Sequence, residues 1–300
     1  MYEEIDRILA VCWQQGSVDA VLWPHDWISP SYFGLEEDQK LIRPATAPDL
    51  LSPRILEQEL ALSKVFYHHV VGSTNSLLLE LAEENSVDNC LAVAECQLDG
   101  RGRRGRSWVS PYARNLAFSL GKGIRRRIDQ IGGLSLVAGL AVANVLEPGA
   151  AQLKWPNDVV VGDAKLSGVL VELVSKENTL EIVVGIGLNL DFRDSERVEL
   201  DREVTDLRAL NIDTSRTDLL VQLVNTLQKF LTKFDEAGFE PFVERFNQSH
   251  IYHHKTCNIQ QGDTIITGRV EGVDVDGALI LSTENGIRSF HGGEVSLRAT

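Results

Sequence analysis

Two changes in the pattern of apolar residues constrain this fold most strongly. From Val65 to about residue 248, short apolar runs typical of strands alternate with segments of helical periodicity. From about residue 256 to 300, short strands are separated instead by Asp276-Gly277 and Asn285-Gly286, dipeptides that favour tight hairpin turns. The chain is therefore a region of alternating strands and helices followed by a small β-barrel.

Charge and composition limit the classes of partner. The 300 residues allow one large domain or two to three small ones, and 43% hydrophobic residues supply a substantial core. The 29 basic and 43 acidic side chains give a formal net charge of −14. This balance argues against general affinity for nucleic acid or anionic membranes, so any basic site must be local.

The cysteines and the apolar segments indicate a cytoplasmic protein. Cys12, Cys90, Cys96 and Cys257 include no C-x-x-C pair, so neither a zinc site nor a disulfide framework is indicated. Reduced thiols are typical of the cytosol. The acidic N-terminus has no signal peptide pattern, and the most apolar stretch, 134–146, is too short to span a bilayer.

Local signals predict individual elements. Ser52-Pro53 predicts a helix that runs to about Leu62, and the capping residues 73–75 predict another. Residues 131–147 are apolar and helical in pattern. Residues 162–165 predict a hairpin turn, whereas the charged, aperiodic segment 191–203 predicts a mobile loop.

The loop 100–106 carries the strongest functional signal. It reads Gly-Arg-Gly-Arg-Arg-Gly-Arg, which places four guanidiniums and three glycines in seven residues. Arginine presents a planar fork of donors that matches phosphate or carboxylate oxygens, and glycine allows the loop to fold over a ligand. The pattern favours a clamp for a small polyanion. A solvated basic loop or a nucleic-acid patch is the alternative.

Further motifs follow in order along the chain. Gly72-Ser73-Thr74-Asn75 starts a helix, and Gln97 lies just before the arginine-rich loop. A third motif is Lys154-Trp155-Pro156-Asn157-Asp158, whose last residue lies seven positions before Lys165. A strand then ends in Gly185-Ile186-Gly187-Leu188-Asn189. Taken together, residues 50–300 closely resemble the biotin–protein ligases.

This resemblance implies the fold and its division. It implies an α+β catalytic domain over residues 51–253, built on a mixed sheet like that of class II aminoacyl-tRNA synthetases. A small SH3-like β-barrel would occupy residues 254–300. Residues 1–50 would form a degenerate or unrelated appendage.

The resemblance also implies a two-step reaction. Biotin attacks the α-phosphorus of ATP to give biotinyl-5′-adenylate and pyrophosphate, and an acceptor lysine then attacks the mixed anhydride and releases AMP. Biotin, ATP and Mg²⁺ would be the small molecules, with no tightly bound metal. The acceptor would be a biotin carboxyl carrier protein or domain of acetyl-CoA carboxylase. The resemblance is also compatible with a homodimer.

The resemblance assigns site residues by position. The catalytic residues would be Lys165, Arg101 and Arg103. The biotin site would contain Ser73, Thr74, Asn75, Gln97, Gly100, Arg101, Gly102, Arg103, Lys165 and Gly168. The nucleotide site would contain Arg103, Arg106, Trp108, Lys154, Asn157, Asp158 and Asn189, with Asp158 also a candidate ligand of Mg²⁺.

Two other functions deserve comparison. A lipoate or octanoate ligase would share the fold and a comparable lysine, but the arginine-rich loop and the Lys-Trp-Pro-Asn-Asp string argue against it. A biotin-sensing transcriptional regulator would need a basic recognition helix. Residues 1–50 contain three basic and nine acidic side chains and no helix–turn–helix pattern, which argues against DNA binding.

Overall fold

The computed structural model describes residues 2–38, 40–45, 48–146, 149, 151–176, 179–193, 203–261, 264–291 and 295–299. The α-helices are α1 (Tyr2–Gln15), α2 (Pro53–Glu59), α3 (Thr74–Glu84), α4 (Leu134–Val145), α5 (Arg216–Ala237) and α6 (Val243–Ser249). The strands are β1 (Val18–Asp19), β2 (Leu35–Asp38), β3 (Leu41–Pro44), β4 (Lys64–Val71), β5 (Cys90–Gln97), β6 (Asn115–Ile124), β7 (Gln152–Lys154), β8 (Asp158–Val161), β9 (Ala164–Lys176), β10 (Thr179–Asn189), β11 (Thr256–Gln261), β12 (Thr264–Val273), β13 (Leu279–Thr283), β14 (Gly286–Phe290) and β15 (Val295–Ala299).

A mixed sheet forms the centre of the molecule. Its strand order is β4-β5-β6-β10-β9-β8-β7, in which β4 and β5 run parallel and every other neighbouring pair is antiparallel. One face packs against the apolar helix α4 and the buried face of the amphipathic helix α5, and α3 covers part of the other. This architecture confirms the predicted α+β class.

The C-terminal strands form a separate antiparallel sheet, in the order β14-β13-β12-β11-β15, as the turn signals predict. The C-terminal sheet and the central sheet share one continuous hydrophobic core, to which Leu153 of β7 and Cys257 of β11 both belong. Trp155, only 1% exposed, lies in this core, and its indole N–H donates to the carbonyl of Gly277 at 3.2 Å. The domain boundary proposed at residue 254 therefore stays a prediction, because no break in packing marks it.

The N-terminal segment packs on the edge of the central sheet. Apolar side chains of α1 and of the small sheet β1-β3-β2 surround Val70 and Tyr112. Asp6 of α1 reaches β4, where its carboxylate accepts from the backbone N–H groups of His69 (2.5 Å) and Val70 (3.0 Å) and contacts the ring of His68 at 3.0 Å. Between residues 2 and 45, the described chain contains no second α-helix and hence no helix–turn–helix pair.

A buried ion pair ties the linker that precedes α2, residues 48–52, to the sheet and to α5. Glu95 of β5 and Arg216 at the start of α5 meet at 2.6 Å, with side chains 0% and 5% exposed. Glu95 also accepts from the N–H of Leu51 at 2.7 Å and from the hydroxyl of Tyr67 at 3.0 Å. Burial, followed by the charge of Glu95, raises the pKa of Tyr67 far above its usual range.

Several predicted bounds differ from the structure. The helix that starts at Pro53 ends at Glu59 rather than Leu62, because Leu60 adopts an extended backbone conformation. The helix predicted over 131–147 spans only Leu134–Val145. Most of the loop predicted at 191–203 lies outside the described residues. Among the helices described, none is both long and apolar enough to cross a membrane.

The anchor of α1 generates a prediction about stability and pH. Burial alone would raise the pKa of Asp6, but the hydrogen bonds from His68 and Val70 outweigh it and hold that pKa below its usual value. Replacing Asp6 by alanine should lower the free energy of unfolding at pH 7 by about 1–3 kcal/mol, since two strand N–H groups lose their acceptor. The stabilisation by the Asp6 carboxylate is complete above the ordinary carboxyl pKa of about 4, and it is lost as the pH falls through the lowered pKa of Asp6.

Urea unfolding at pH 7 and at pH 3 measures this difference. Asp129→Ala is the matched control, because Asp129 is an exposed carboxylate paired with Arg127, and its loss should cost less than about 1 kcal/mol. A destabilisation by Asp6→Ala that grows on acidification would contradict the assignment.

Candidate functional site

A cleft of about 660 Å³, partly open to solvent, lies on the α3 side of the central sheet. The start of α3, the arginine-rich loop and strands β8, β9 and β10 surround it. Its lining consists of Ser73, Thr74, Asn75, Gln97, Arg101, Gly102, Arg103, Arg106, Ser107, Trp108, Phe118, Asn157, Asp158, Lys165, Gly168, Val169, Leu170, Gly185, Ile186 and Gly187. Residues from four distant motifs of the sequence therefore meet at one place.

The first turn of α3 supplies a buried polar wall. Ser73 is the N-cap of the helix, and its hydroxyl accepts from the N–H of Ser76 at 3.5 Å. Both the N–H and the hydroxyl of Thr74 lie within hydrogen-bond distance of Oε1 of Gln97, at 2.8 and 3.1 Å. The helix cap and the end of β5 thus hold each other in place.

Asn75 is oriented by partners on both sides of its amide. Its Oδ1 accepts from the hydroxyl of Ser119 at 2.5 Å, and its Nδ2 donates to Glu172 at 2.8 Å. A Cβ atom on residue 185 would lie 2.1 Å from this Oδ1. Glycine at 185 therefore makes room for the amide at the wall of the cleft.

The arginine-rich loop is a closed hairpin in this structure. The N–H of Gly102 donates to the carbonyl of Arg106 at 2.7 Å, and the N–H of Trp108 donates to the carbonyl of Gly100 at 2.8 Å. A Cβ on residue 100 would lie 2.3 Å from the carbonyl oxygen of Trp108. Gly100 therefore shapes the base of the loop and is not among the described residues that line the cleft.

The arginines of the loop have different environments. Arg101 pairs with Glu172 at 2.7 Å, and Arg103 donates to Oδ1 of Asn157 at 3.2 Å. Burial lowers the pKa of Arg103, and the nearby Asp158 partly opposes that effect. Arg106 lines the cleft from an exposed position, whereas the exposed Arg104 does not line it.

Lys165 lies at the bottom of the cleft. It is the second residue of β9. The turn before this strand consists of Gly162 and Asp163 alone, so the predicted four-residue turn was too long. Its Nζ is 2.5 Å from Oδ1 of Asp158 and 5.6 Å from the centre of the Trp108 ring, and its side chain is 12% exposed.

Trp108 lies flat against β10 because residue 187 has no side chain. A Cβ at Gly187 would fall 2.2 Å from Cε2 of the indole. The indole nitrogen of Trp108 is buried, with no hydrogen-bond partner among the residues that the structure describes. The ring thus forms a wall of the cleft beside Lys165.

Two other predicted residues lie outside the described lining of the cleft. The ammonium of Lys154 is 5.4 Å from the centre of the Tyr252 ring. Asn189 is 2% exposed, and its Nδ2 donates to the carbonyls of Lys165 (3.2 Å) and Thr205 (3.0 Å). Asn189 therefore supports the backbone of Lys165.

Sequence reasoning missed several residues of the cleft. Gly185 and Gly187 were noted only as part of a motif, although two glycines at alternate positions of a buried strand already signal a close approach to that face. Ser119 and Glu172 do not line the cleft but hold the amide of Asn75, and they carry no such signal, since this partner is distant in sequence. Four cationic side chains and the carboxylate of Asp158 line the described cleft, which therefore suits an anionic ligand.

Comparison with known proteins points to one family. The sequence model of the Biotin/lipoate A/B protein ligase family matches residues 67–189, and that of the Biotin protein ligase C terminal domain matches residues 253–298. The bifunctional ligase/repressor BirA of Escherichia coli K12 is 36% identical over 235 residues, which cover 77% of this chain and 73% of that protein. The biotin–[acetyl-CoA-carboxylase] ligase of Mycobacterium tuberculosis is 35% identical over 176 residues, 56% of this chain and 64% of that protein.

A solved structure shows the same relationship. The Aquifex aeolicus biotin protein ligase, in complex with biotin and ATP, superposes with a TM-score of 0.68 at 30% identity, and the match covers 80% of this chain and all of that one.

The contact between Trp108 and β10 generates a prediction. Gly187→Ala should lower the free energy of unfolding by about 1–3 kcal/mol, because the new methyl group and the indole cannot occupy the same space. Gly123→Ala is the matched control: it lies in a neighbouring strand, and its Cβ would meet Asp88 at an ordinary 3.5 Å. Urea unfolding compares them, and equal stabilities would contradict the packing described.

Proposed function

The chain belongs to the biotin protein ligase family and is an ATP-dependent biotin ligase, and we propose that its cleft joins biotin to AMP with Lys165 as the central catalytic residue. The observation that carries this assignment is that Lys165, the polar wall of α3 and the arginine-rich loop line the same cleft. A single bound ligand would touch all three.

The biotin end is assigned to the polar wall. The ureido ring of biotin has both N–H donors and a carbonyl acceptor. Ser73, Thr74, Asn75 and Gln97 offer matching hydroxyl and amide groups in a buried setting, where unmatched polar groups are costly. Gly168 keeps the strand beneath Lys165 free of a side chain, since a Cβ there would lie 2.8 Å from Nζ.

The reacting end is assigned to the cations. A carboxylate that attacks a phosphate must approach another anion, so the transition state needs positive charge placed beforehand. Lys165, Arg101 and Arg103 supply it, and Arg106 and Trp108 extend the same wall toward the nucleotide. Lys154 and Asn189 are not proposed as nucleotide contacts, because Lys154 lies against Tyr252 and Asn189 supports Lys165 from below.

Magnesium is proposed to arrive with ATP. Mg²⁺ is commonly held by one or two carboxylates, water and the substrate's phosphates. Asp158 fits that limited role, because its side chain is 23% exposed and lines the cleft together with Asn157. The ion would neutralise phosphate charge, while Lys165 provides the charge nearest the attacking carboxylate.

The acceptor is proposed to be the lysine of a biotin carboxyl carrier protein or domain of acetyl-CoA carboxylase. The M. tuberculosis relative, by its name, acts on acetyl-CoA carboxylase. We place the reaction in the cytoplasm, because all four cysteines are free thiols. The E. coli relative is also named as a repressor. We do not propose that role for this chain, because its N-terminal segment is acidic and packs on the central sheet.

Removal of the central cation should separate binding from chemistry. Lys165→Ala is expected to leave the affinity for biotin nearly unchanged and to slow formation of biotinyl-5′-adenylate by about 100-fold or more, because the lost charge acts mainly in the transition state. Pyrophosphate release measures the rate, and mass spectrometry identifies the adenylate formed by the wild type with biotin, ATP and Mg²⁺.

Lys122→Ala is the control for this variant, because Lys122 also pairs with a carboxylate, Asp88 at 3.3 Å, but lies outside the described cleft lining. Wild-type rates in Lys165→Ala would remove Lys165 from the mechanism. A wild type that forms no biotinyl-adenylate would overturn the proposed function.

Loss of Arg103 should weaken retention of the intermediate. Arg103→Gly removes a charge-assisted contact and adds backbone freedom that opposes closure of the loop. We expect the adenylate to dissociate about 10- to 100-fold faster, and the released mixed anhydride to label lysines of unrelated proteins. A biotin blot of a lysine-rich bystander protein detects this labelling.

Arg104→Gly is a close control for Arg103→Gly. Arg104 lies in the same loop, carries the same charge and has a φ of +61°, a backbone conformation that glycine adopts readily. Equal bystander labelling by the two variants would show that general loop charge, rather than Arg103 itself, retains the adenylate.

A further inference from the structure

Glu172 contacts two residues of the proposed site through one carboxylate oxygen. Its Oε2 accepts from Nδ2 of Asn75 at 2.8 Å and from the guanidinium of Arg101 at 2.7 Å. Glu172 stands on β9 two residues beyond Leu170, which lines the cleft, so strand alternation directs both side chains to the same face. We infer that Glu172 is a positioning residue, which orients the amide of Asn75 for biotin and holds Arg101 at the cleft before the ligand binds. The inference rests on the proposed function.

The orientation of Asn75 follows from the chemistry of its partners. An ionised carboxylate only accepts hydrogen bonds, so the NH₂ group of Asn75 must face Glu172. The carbonyl of Leu170, 3.4 Å from the same nitrogen, also accepts only. The amide oxygen therefore lies on the opposite side, where it accepts from Ser119 and borders Gly185 of the cleft wall.

This orientation matters for a ureido ligand. A ureido N–H is a donor and needs an acceptor in the wall of its site. With Asn75 turned as observed, its oxygen faces the cleft side and supplies that acceptor. If the amide turned over, two donors would face each other, and one of them would lose its hydrogen bond on binding.

The contact with Arg101 acts on the loop. The side chain of Arg101 is 42% exposed, and an exposed arginine without a fixed partner samples many rotamers. Glu172 restricts that freedom while the cleft is empty, so less entropy is lost when a ligand anion binds. Arg101 has five N–H donors and can keep one on Glu172 while others contact the ligand.

Biotin affinity without ATP tests the effect on Asn75. Isothermal titration calorimetry on the wild type, Glu172→Gln and Glu172→Val should give a graded loss. We expect about tenfold weaker binding for Glu172→Val and an intermediate value for Glu172→Gln, because glutamine keeps an acceptor oxygen. Under steady state with ATP and Mg²⁺, the KM for biotin should rise in the same order and by a larger factor than kcat falls, because Glu172 touches no reacting atom and Arg101 keeps its charge in both variants.

Two comparisons separate positioning from general effects. Glu181→Gln removes another carboxylate from the same face of the sheet, where it is bonded to Val87 and Ser86, and should leave biotin affinity unchanged. In an Asn75→Ala background, adding Glu172→Val should weaken biotin binding less than it does in the wild-type background, because only the contact of Glu172 with Arg101 is then left to lose.

The positioning role of Glu172 is overturned if Glu172→Val binds biotin like the wild type, or if Glu172→Gln binds it as weakly as Glu172→Val. It is also overturned if Glu172→Val lowers the affinity for biotin by the full factor in the Asn75→Ala background. If Asn75→Ala does not fold, the rise of the KM for biotin from the wild type through Glu172→Gln to Glu172→Val tests the role of Glu172 instead. Failure of the wild type to form biotinyl-adenylate would instead overturn the proposed function.

Discussion

The buried ion pair between Glu95 and Arg216 is the interaction on which the architecture depends. Taking two charges out of water is unfavourable unless further hydrogen bonds satisfy both groups. Here Glu95 also accepts from Leu51 and Tyr67, and Arg216 also donates to the carbonyl of Asn115 at 2.8 Å. The ion pair and its hydrogen bonds therefore join the linker, three neighbouring strands and the long helix α5 at one buried point. That junction fixes the end of β5, where Gln97 meets the start of α3.

The cleft exists because three backbone positions have no side chain. Asn75, the Trp108 ring and the Trp108 carbonyl occupy the space that a Cβ at residues 185, 187 and 100 would need. Protein interiors are close-packed, so a single methyl group at such a position must displace its neighbour. The glycines thus set the depth of the cleft, and the polar groups around it are placed by contact with bare backbone.

A chain of net charge −14 places four cationic side chains around one cleft, where the proposed reaction needs them. Among the described ion pairs of the cleft, Lys165 pairs with Asp158 and Arg101 with Glu172. These pairs hold the cations in place while the cleft is empty and limit their mutual repulsion. In the proposed reaction, the anionic ligand adds to this network, and the same side chains stabilise the charge that develops as biotin attacks ATP.

The sequence by itself determined the family, the α+β class and the activity, because these depend on motifs and periodicities that are present along the chain. The prediction of a biotin–protein ligase is confirmed by the similarity to known ligases. Assignment of individual site residues stays a proposal. Tertiary structure alone decided that Lys154 lies against Tyr252, that Asn189 supports Lys165, and that Glu172 joins Asn75 to Arg101. Such contacts join residues that are far apart in the sequence, 97 positions in the case of Asn75 and Glu172, and no local pattern encodes them. They arise only when strands pair and bare glycine backbone lets distant side chains approach, which is a property of packing in three dimensions.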